Sequence, residues 1–417
     1  MMIDDKMFYD GVAQRLMRYA RIDTQSQSFT GTWPTTAKQR DLAELLAEEM
    51  ERLQLSEVYY DVEHCVVYGK LSGNLDYESQ AVGFIAHIDT APDAPGDCKP
   101  WLLKNYDGGD IVLNKERNIV MKAQDYSNLQ NYIGQDLILT DGTTLLGGDD
   151  KASIAAIMTM LEYYQTHPEV RHCEIRVAFT PDEEVSGLAG DLDLERFGAR
   201  IAYTLDCDHL GYYQDETFNA AQAVINITGL SVHTATAKGI MINAVDIAGE
   251  FMNMLPKNQK PQYTEGTEGF YHVISCEARC EHARIVLNIR DFAEEDFNAK
   301  KEYIGKCVRK LQEEYGSNNI TYTITDQYKN MKPIIDKVPY MIDYLKQAIA
   351  ESGVTPVCEP FRGGTDGAGL SYRGLPCPNL SAGYENAHGR FEYVPVQSMT
   401  KNVEILIRLI GIFSKQN

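Results

Sequence analysis

The sequence predicts an α/β protein with a mostly parallel mixed sheet, interrupted by an inserted ferredoxin-like α+β domain. Three observations predict it. Helix and strand patterns alternate through much of the first half, from the helix at Leu42 to the strand ending at Leu205, which is the signature of a parallel sheet covered by helices. From about Ala220 the order becomes strand, helix, strand, strand, helix, strand, which suits a split βαβ unit. Helical α/β character then resumes after about residue 330. A chain of 417 residues is also too long for one ordinary core, so more than one compact unit is expected.

After the Trp33-Pro34-Thr35-Thr36 turn, Leu42, Leu45, Leu46, Met50 and Leu53 follow helical spacing. Ala81 to Ala86 is a short buried-strand run, and Ile154, Ile157, Met158 and Leu161 share one helical face. Ile175 to Thr180 and Ile201 to Leu205 are further strands. In the insert, Val224 to Thr228 reads as a strand and Met241 to Leu255 as a helix. His272 to Cys276 and Ala283 to Arg290 read as strands, Glu294 to Tyr315 as a helix, and Ile320 to Thr325 as the last strand. Tyr340 to Ala350 is a helix, and Met399, Val403, Leu406, Ile410 and Phe413 mark a closing one. No internal repeat interrupts this order. The expected partition is 1–217 with 331–417 as a discontinuous α/β domain, and 218–330 as the insert.

Lysine plus arginine number 39 against 60 aspartate plus glutamate, a net charge of −21. No basic stripe can neutralise phosphates, so nucleic acid is excluded as a partner. Metal cations are the more natural counter-charge. Met1 to Asp10 lacks a basic-then-apolar signal pattern. No apolar run approaches the roughly 18–20 residues that span a bilayer, so no membrane association is expected. Nine scattered cysteines form no disulfide framework, which suits a reducing cytoplasm. Cys276 and Cys280, with His282 nearby, flank an alternating strand pattern and lack a second cysteine pair, so they are not read as a structural zinc site.

Ligand-type residues lie just beyond predicted strands or at turns in Ala86-His87-Ile88-Asp89, Gly147-Gly148-Asp149-Asp150-Lys151, Thr180-Pro181-Asp182-Glu183-Glu184 and Leu205-Asp206. In an open α/β sheet, ligands bind beyond the carboxyl ends of strands, so these segments converge on one edge. Each alone has a plain reading: an acidic pair on a solvated loop, a hydrogen-bonded core histidine, a helix-start carboxylate at Asp149 or Asp150, a turn at Asp206. His388, in Glu385-Asn386-Ala387-His388-Gly389, alone reads as an exposed loop histidine. Together they carry more. So many carboxylates repel unless a cation holds them, and imidazole with carboxylate suits zinc or a similar divalent ion, two of which can share one carboxylate. Asp89 could hold the other ring nitrogen of His87. Neighbouring side chains in extended or turning backbone diverge, so of Glu183 and Glu184 one can bind metal while the other moves a proton.

Several blocks match a known family: Ile85-Ala86-His87-Ile88-Asp89-Thr90, Leu145-Leu146-Gly147-Gly148-Asp149-Asp150-Lys151-Ala152 and Ala178-Phe179-Thr180-Pro181-Asp182-Glu183-Glu184-Val185. To these are added Ala202-Tyr203-Thr204-Leu205-Asp206, Thr236-Ala237-Lys238-Gly239, Glu268-Gly269-Phe270-Tyr271-His272, Arg362-Gly363-Gly364-Thr365-Asp366-Gly367-Ala368 and Gly374-Leu375-Pro376-Cys377-Pro378-Asn379. The sequence resembles, nearly end to end, the peptidase T family of bacterial aminotripeptidases, within the di-zinc aminoacylase/carboxypeptidase superfamily.

The resemblance implies a zinc-peptidase catalytic domain at 1–217 and 331–417, and a lid and dimerisation domain at 218–330. It implies two Zn2+ per subunit, with Co2+ or Mn2+ as substitutes. His87 and Asp206 would hold one ion, Glu184 and His388 the other, and Asp149 would bridge them. Asp89 would orient His87, Glu183 would act as general base, and His233 on the insert would help stabilise the oxyanion. Asn243, Arg290 and Arg362 would bind the substrate's backbone or terminal carboxylate, which guanidinium matches bidentately. The implied activity is removal of the N-terminal residue from short peptides, tripeptides foremost, by a cytoplasmic enzyme that pairs as a homodimer through the lid. A related dipeptidase or N-acyl-amino-acid amidohydrolase is the alternative. A non-catalytic zinc-binding protein runs against the intact Glu183.

Four places depart from the family pattern. His233-Thr234-Ala235 stands for His-Pro-Gly, Ser186 and Leu188 stand where glycine is frequent, and Cys207-Asp208 replaces two glycines. His388-Gly389-Arg390-Phe391-Glu392 has lost one histidine. None removes an implied ligand or the base, but all fall in loops that shape a substrate pocket.

Overall fold

A strand buried on both faces of a parallel sheet reads as an unbroken apolar run, and all six residues of Val82–His87 are buried. The protein is described here from a computed structural model covering residues 5–186, 189 and 191–415. Val82–His87 lies inside an eight-stranded sheet in the order Ser56–Asp61, Val66–Leu71, Ile175–Thr180, Val82–His87, Ala202–Cys207, Asn379–Ser381, Tyr212–Gln214, Val357–Cys358. Its middle, from Ile175–Thr180 across to Asn379–Ser381, is parallel. Antiparallel pairs enter on both sides, at Ser56–Asp61 with Val66–Leu71, Val66–Leu71 with Ile175–Thr180, and Asn379–Ser381 with Tyr212–Gln214. The sheet is therefore mixed and mostly parallel.

The helix Gly148–Thr166 is buried almost all round, as befits a helix between a sheet and other helices. Its neighbours are Val82–His87 on one side and the helices Asp5–Tyr19 and Val396–Phe413 on the other. Asp5–Tyr19 escapes the sequence reading. Its Phe8 packs edge-on against Tyr163 with centroids 5.3 Å apart, and its Arg15 reaches Glu49 and Glu162, each at 2.8 Å. The stretch between the first two ligand segments folds as short antiparallel pieces. Tyr393–Pro395, Leu137–Leu139 and Trp101–Leu103 form one small sheet and Ile111–Asn114 with Ile119–Met121 a hairpin, around Tyr106, Leu129, Tyr132 and Tyr393.

The chain divides into two compact units, one of residues 1–215, 333–359 and 365–417, the other of 216–332 with 360–364. The second unit has a four-stranded antiparallel sheet in the order Phe270–Arg279, His282–Asp291, Asn219–Thr228, Ile320–Tyr328. With the helices Ala244–Met254 and Glu294–Tyr315 this is the split βαβ arrangement. Ile225, Ile247, Phe251, Leu287 and Val308 lie in its core. Arg362 belongs to this unit through the short excursion 360–364, although the residues on both sides of it belong to the first. Cys276, on the strand Phe270–Arg279, is exposed. All nine cysteines are free. Among the described residues no helix is long and apolar enough to cross a membrane.

Candidate metal centre

Three neighbouring parallel strands end at the same edge of the sheet. Val82–His87 ends on His87, Ala202–Cys207 carries Asp206 in its last turn of pleat, and Ile175–Thr180 leads into the short helix Glu183–Ser186. Asp149 and Asp150 open the buried helix in non-helical conformations, φ/ψ −77°/101° and −118°/21°, so their side chains face the strand ends. Gly147 precedes them at φ +76°. A Cβ there would sit 2.9 Å from Thr90 Cγ2, so this left-handed turn suits glycine alone.

The geometry centres on Asp149. His87 Nε2 lies 3.0 Å from Asp149 Oδ1 and 3.6 Å from Asp206 Oδ1. His388 Nε2 lies 3.2 Å from the other oxygen, Oδ2, and 3.0 Å from Glu184 Oε2. One carboxylate thus faces a histidine–aspartate pair with one oxygen and a histidine–glutamate pair with the other. His87 Nδ1 faces Asp89, 3.1 Å from its carbonyl oxygen and 3.3 Å from Oδ1. Asp89 also accepts the backbone N–H groups of Glu183 and Glu184, at 3.0 and 3.2 Å.

Electrostatics follow from crowding these acids out of water. Burial would raise Asp149, but its hydrogen bonds to His388 and His87 prevail and hold it well below the usual carboxylate range. Burial, then Asp149 nearby, pushes Glu184 up to about 7. Burial and then Asp206 push Glu183 well above its ordinary value. His388 is pushed up to about 11 by its hydrogen bonds to Asp149 and Glu184.

The residues fit divalent cations. Glu184 Oε1 is buried with no hydrogen-bond partner, and so is Asp150 Oδ1, whereas buried polar atoms are ordinarily paired. The ligand atoms of His87, Asp149 and Glu184 lie within 4.8 Å of one another, as do those of His87, Asp150 and Asp206. Ligand atoms about 2 Å from a tetrahedral zinc lie roughly 3.3 Å apart, close to the spacings around Asp149. Asp150 is a candidate in this geometry that the ligand set implied by resemblance leaves out. Its Oδ2 accepts the backbone N–H of His87 at 3.2 Å.

Other acids hold the site from behind. Glu392 accepts the N–H groups of Leu146, Gly147 and Asp149 at 2.8, 2.7 and 3.0 Å. Asp182, in the loop ahead of the acidic pair, accepts from Thr35 N at 2.7 Å and Gln39 Nε2 at 2.6 Å. Asp366 accepts from Thr180 Oγ1 at 3.0 Å and Ala189 N at 2.5 Å. The sequence reading assigned these three no role; Asp182 and Asp366 lie inside blocks that match the family, and Glu392 follows His388 by four residues. Phe391, in place of the family's second histidine, packs on Tyr126 with centroids 5.2 Å apart. Leu188 lies outside the described residues.

His233, Asn243, Arg290 and Arg362 all lie in the second unit, where each serves its own surroundings. His233 Nδ1 accepts the N–H of Ala235 at 3.2 Å, and Asn243 caps the helix Ala244–Met254 by accepting from Val245 N at 3.1 Å. Arg290 donates to the carbonyls of Ala221 and Ile289 at 3.1 and 3.0 Å. Arg362 donates to the carbonyls of Gly266 and Glu268, at 2.6 and 2.9 Å, and to Thr264 Oγ1 at 2.8 Å, over the rings of Phe218 and Phe270.

Known proteins resemble this chain along nearly its whole length. Residues 146–411 match the family model for peptidase family M20/M25/M40. A peptidase T from Geobacillus thermodenitrificans is 45% identical over 404 residues, covering 97% of this chain and 98% of the relative. Among solved structures, an aminopeptidase from Bacillus cereus superposes with a TM-score of 0.77 at 20% identity, over 98% of this chain and 99% of the other. A tripeptidase from Staphylococcus aureus gives 0.78 at 20% identity over the whole of both chains. With its family model matched over more than half its length and a near full-length relative close to half identical, the chain belongs to peptidase family M20/M25/M40.

Proposed function

We propose that the protein is a metal-dependent aminopeptidase that hydrolyses the first peptide bond of tripeptides. The observation that carries the reading is Asp149 between two histidine–carboxylate pairs, with Glu183 beside the ligand Glu184. The names of the Geobacillus, Bacillus and Staphylococcus proteins support peptidase chemistry at an amino terminus and short substrates.

His87 and Asp206 would hold one ion and His388 and Glu184 the other, with Asp149 shared; zinc suits these donors, and cobalt or manganese can take the same ones. Bound there, such ions supply Lewis acidity toward the scissile carbonyl and make water a nucleophile near neutral pH. Glu183 takes the proton from that water and passes it to the departing amine. Asp89 keeps the His87 ring in one orientation and fixes the start of the segment that carries Glu183. In the second unit, His233 would face the developing oxyanion, and Asn243, Arg290 and Arg362 would bind the substrate's backbone and terminal carboxylate. These side chains would exchange hydrogen bonds within their own unit for bonds to substrate. A lid role for this unit, homodimerisation through it and a cytoplasmic location complete the reading.

The test is release of the first amino acid from an unblocked tripeptide by zinc- or cobalt-loaded protein. The matching dipeptide, tetrapeptide and N-acetylated tripeptide run alongside. Cleavage confined to the free-amine tripeptide is expected; preference for the dipeptide or the acetylated compound would keep the metal chemistry and overturn the substrate.

A further inference from the structure

His87 and His388 are held by different means. His87 is 2% exposed, and the surrounding core fixes its ring. The side chain of His388 is 47% exposed, so its aim must come from the loop that carries it. That loop is closed at its neck by paired backbone hydrogen bonds between Glu385 and Tyr393, 2.9 and 3.1 Å. Inside it Asn386 and His388 adopt left-handed φ values of 57° and 62°. Outside glycine such φ values are uncommon, though Asn and His adopt them more readily than most residues, and the surroundings of the loop impose them here.

Glu385 supplies that imposition. It is 2% exposed, and its carboxylate is addressed by two other segments of the chain. Asn128 Nδ2 donates to Oε2 at 2.7 Å, Tyr132 donates to Oε1, and His209 Nδ1 lies 2.8 Å from Oε1. His209 is pushed up to about 9 by this hydrogen bond, so the contact is charge-assisted at neutral pH. Asn128 Nδ2 also reaches Asn386 Oδ1 at 3.1 Å, inside the loop. His209 follows Asp206 by three residues. At the far end of the loop, Glu392 holds the backbone of Asp149. The His388 loop is thereby tied to the bridging ligand at one end and to the exit of the Asp206 strand at the other.

We propose that Glu385 is a positioning residue for the second metal ion: with His209, Tyr132 and Asn128 it sets the loop that aims His388 at Asp149 and Glu184. This rests on the two-ion reading above. Loss of the lock loosens one ion selectively, because His87 and Asp206 are carried by neighbouring strands of the buried sheet, whereas His388 is carried by the loop itself.

The experiment is stepwise zinc titration of metal-free full-length protein by calorimetry, with bound metal counted after dialysis. Wild type should take two ions. Glu385→Gln and His209→Leu should bind one ion at near wild-type affinity and the other about 10–100-fold more weakly, the usual effect of removing a ligand's supporting partner. His209→Asn, whose amide nitrogen can replace Nδ1 as donor, should recover part of that loss. Tyr132→Phe removes one donor with the least change of shape and serves if Glu385→Gln fails to fold. Two ions bound as in wild type by these variants, or equal weakening of both, would overturn the proposal. Wild-type protein that takes up fewer than two ions would overturn the two-ion reading itself, and this proposal with it.

Discussion

Asp89 and Glu183 are joined by a 3.0 Å hydrogen bond from the backbone N–H of Glu183 to Asp89 Oδ1, while the same Asp89 oxygen lies 3.3 Å from the ring of His87. One buried carboxylate therefore sets the register between a proposed metal ligand on one strand and the proposed base beyond the next.

Replacing Asp89 with asparagine keeps the shape but turns one acceptor into a donor facing an N–H. Metal affinity and kcat should each fall about 10–100-fold. Steady-state kinetics and metal dialysis check this; wild-type values in both would remove Asp89 from the site's support.

Glu183→Gln should lower kcat by about 10²–10⁴-fold, the usual contribution of a positioned acid–base group. Both ions should stay bound, since Glu184, not Glu183, faces His388. Full activity in a variant carrying two ions would refute the assignment of the base.

Gly147→Ala places a side chain at φ +76°, 2.9 Å from Thr90 Cγ2. The left-handed backbone alone costs about 1–2 kcal/mol, so Tm should drop. Asp149 N should also shift from Glu392, taking metal affinity with it. Unchanged melting and metal content would mean the turn tolerates a side chain.

The pair of His209 and Glu385 gives a pH dependence with a definite sign. The folded state raises His209 from 6.5 to about 9, through the hydrogen bond to Glu385 and then the charges of Glu385, Asp208 and Glu359; the ring of Tyr212 packs on it edge-on at 5.2 Å. A raised histidine contributes its full stability below about pH 6.5 and loses it as pH rises through 9. The Tm difference between wild type and His209→Asn should shrink across that window. A constant difference from pH 6 to 10 would show that charge plays no part.

Much of this was legible in the sequence because each of four candidate segments borders a run whose periodicity is clear, three of them at or after strands and one at the start of a helix. His87 closes an unbroken apolar strand, and Asp206 lies one residue before the end of another. The supporting acids were not legible. Glu385 and Glu392 sit in polar loops, and nothing local separates a solvated acid from one buried against partners about 250 residues away. Asp5–Tyr19 was missed because its polar residues dilute the helical stripe, although Phe8, Val12 and Leu16 are buried. The attachment of Arg362 to the second unit has no signature, since a five-residue excursion changes neither composition nor period.

The insertion of the second unit between Asp206 and His388 has a consequence for biosynthesis. Domains tend to fold in the order in which they leave the ribosome. His87, Asp149, Glu184 and Asp206 are all translated before the insert, whereas His388 comes after it. The proposed set of metal-binding side chains is therefore complete only once the chain has been translated past the insert, when the strand Asn379–Ser381 and the helix Val396–Phe413, which finish the discontinuous first unit, are also in hand.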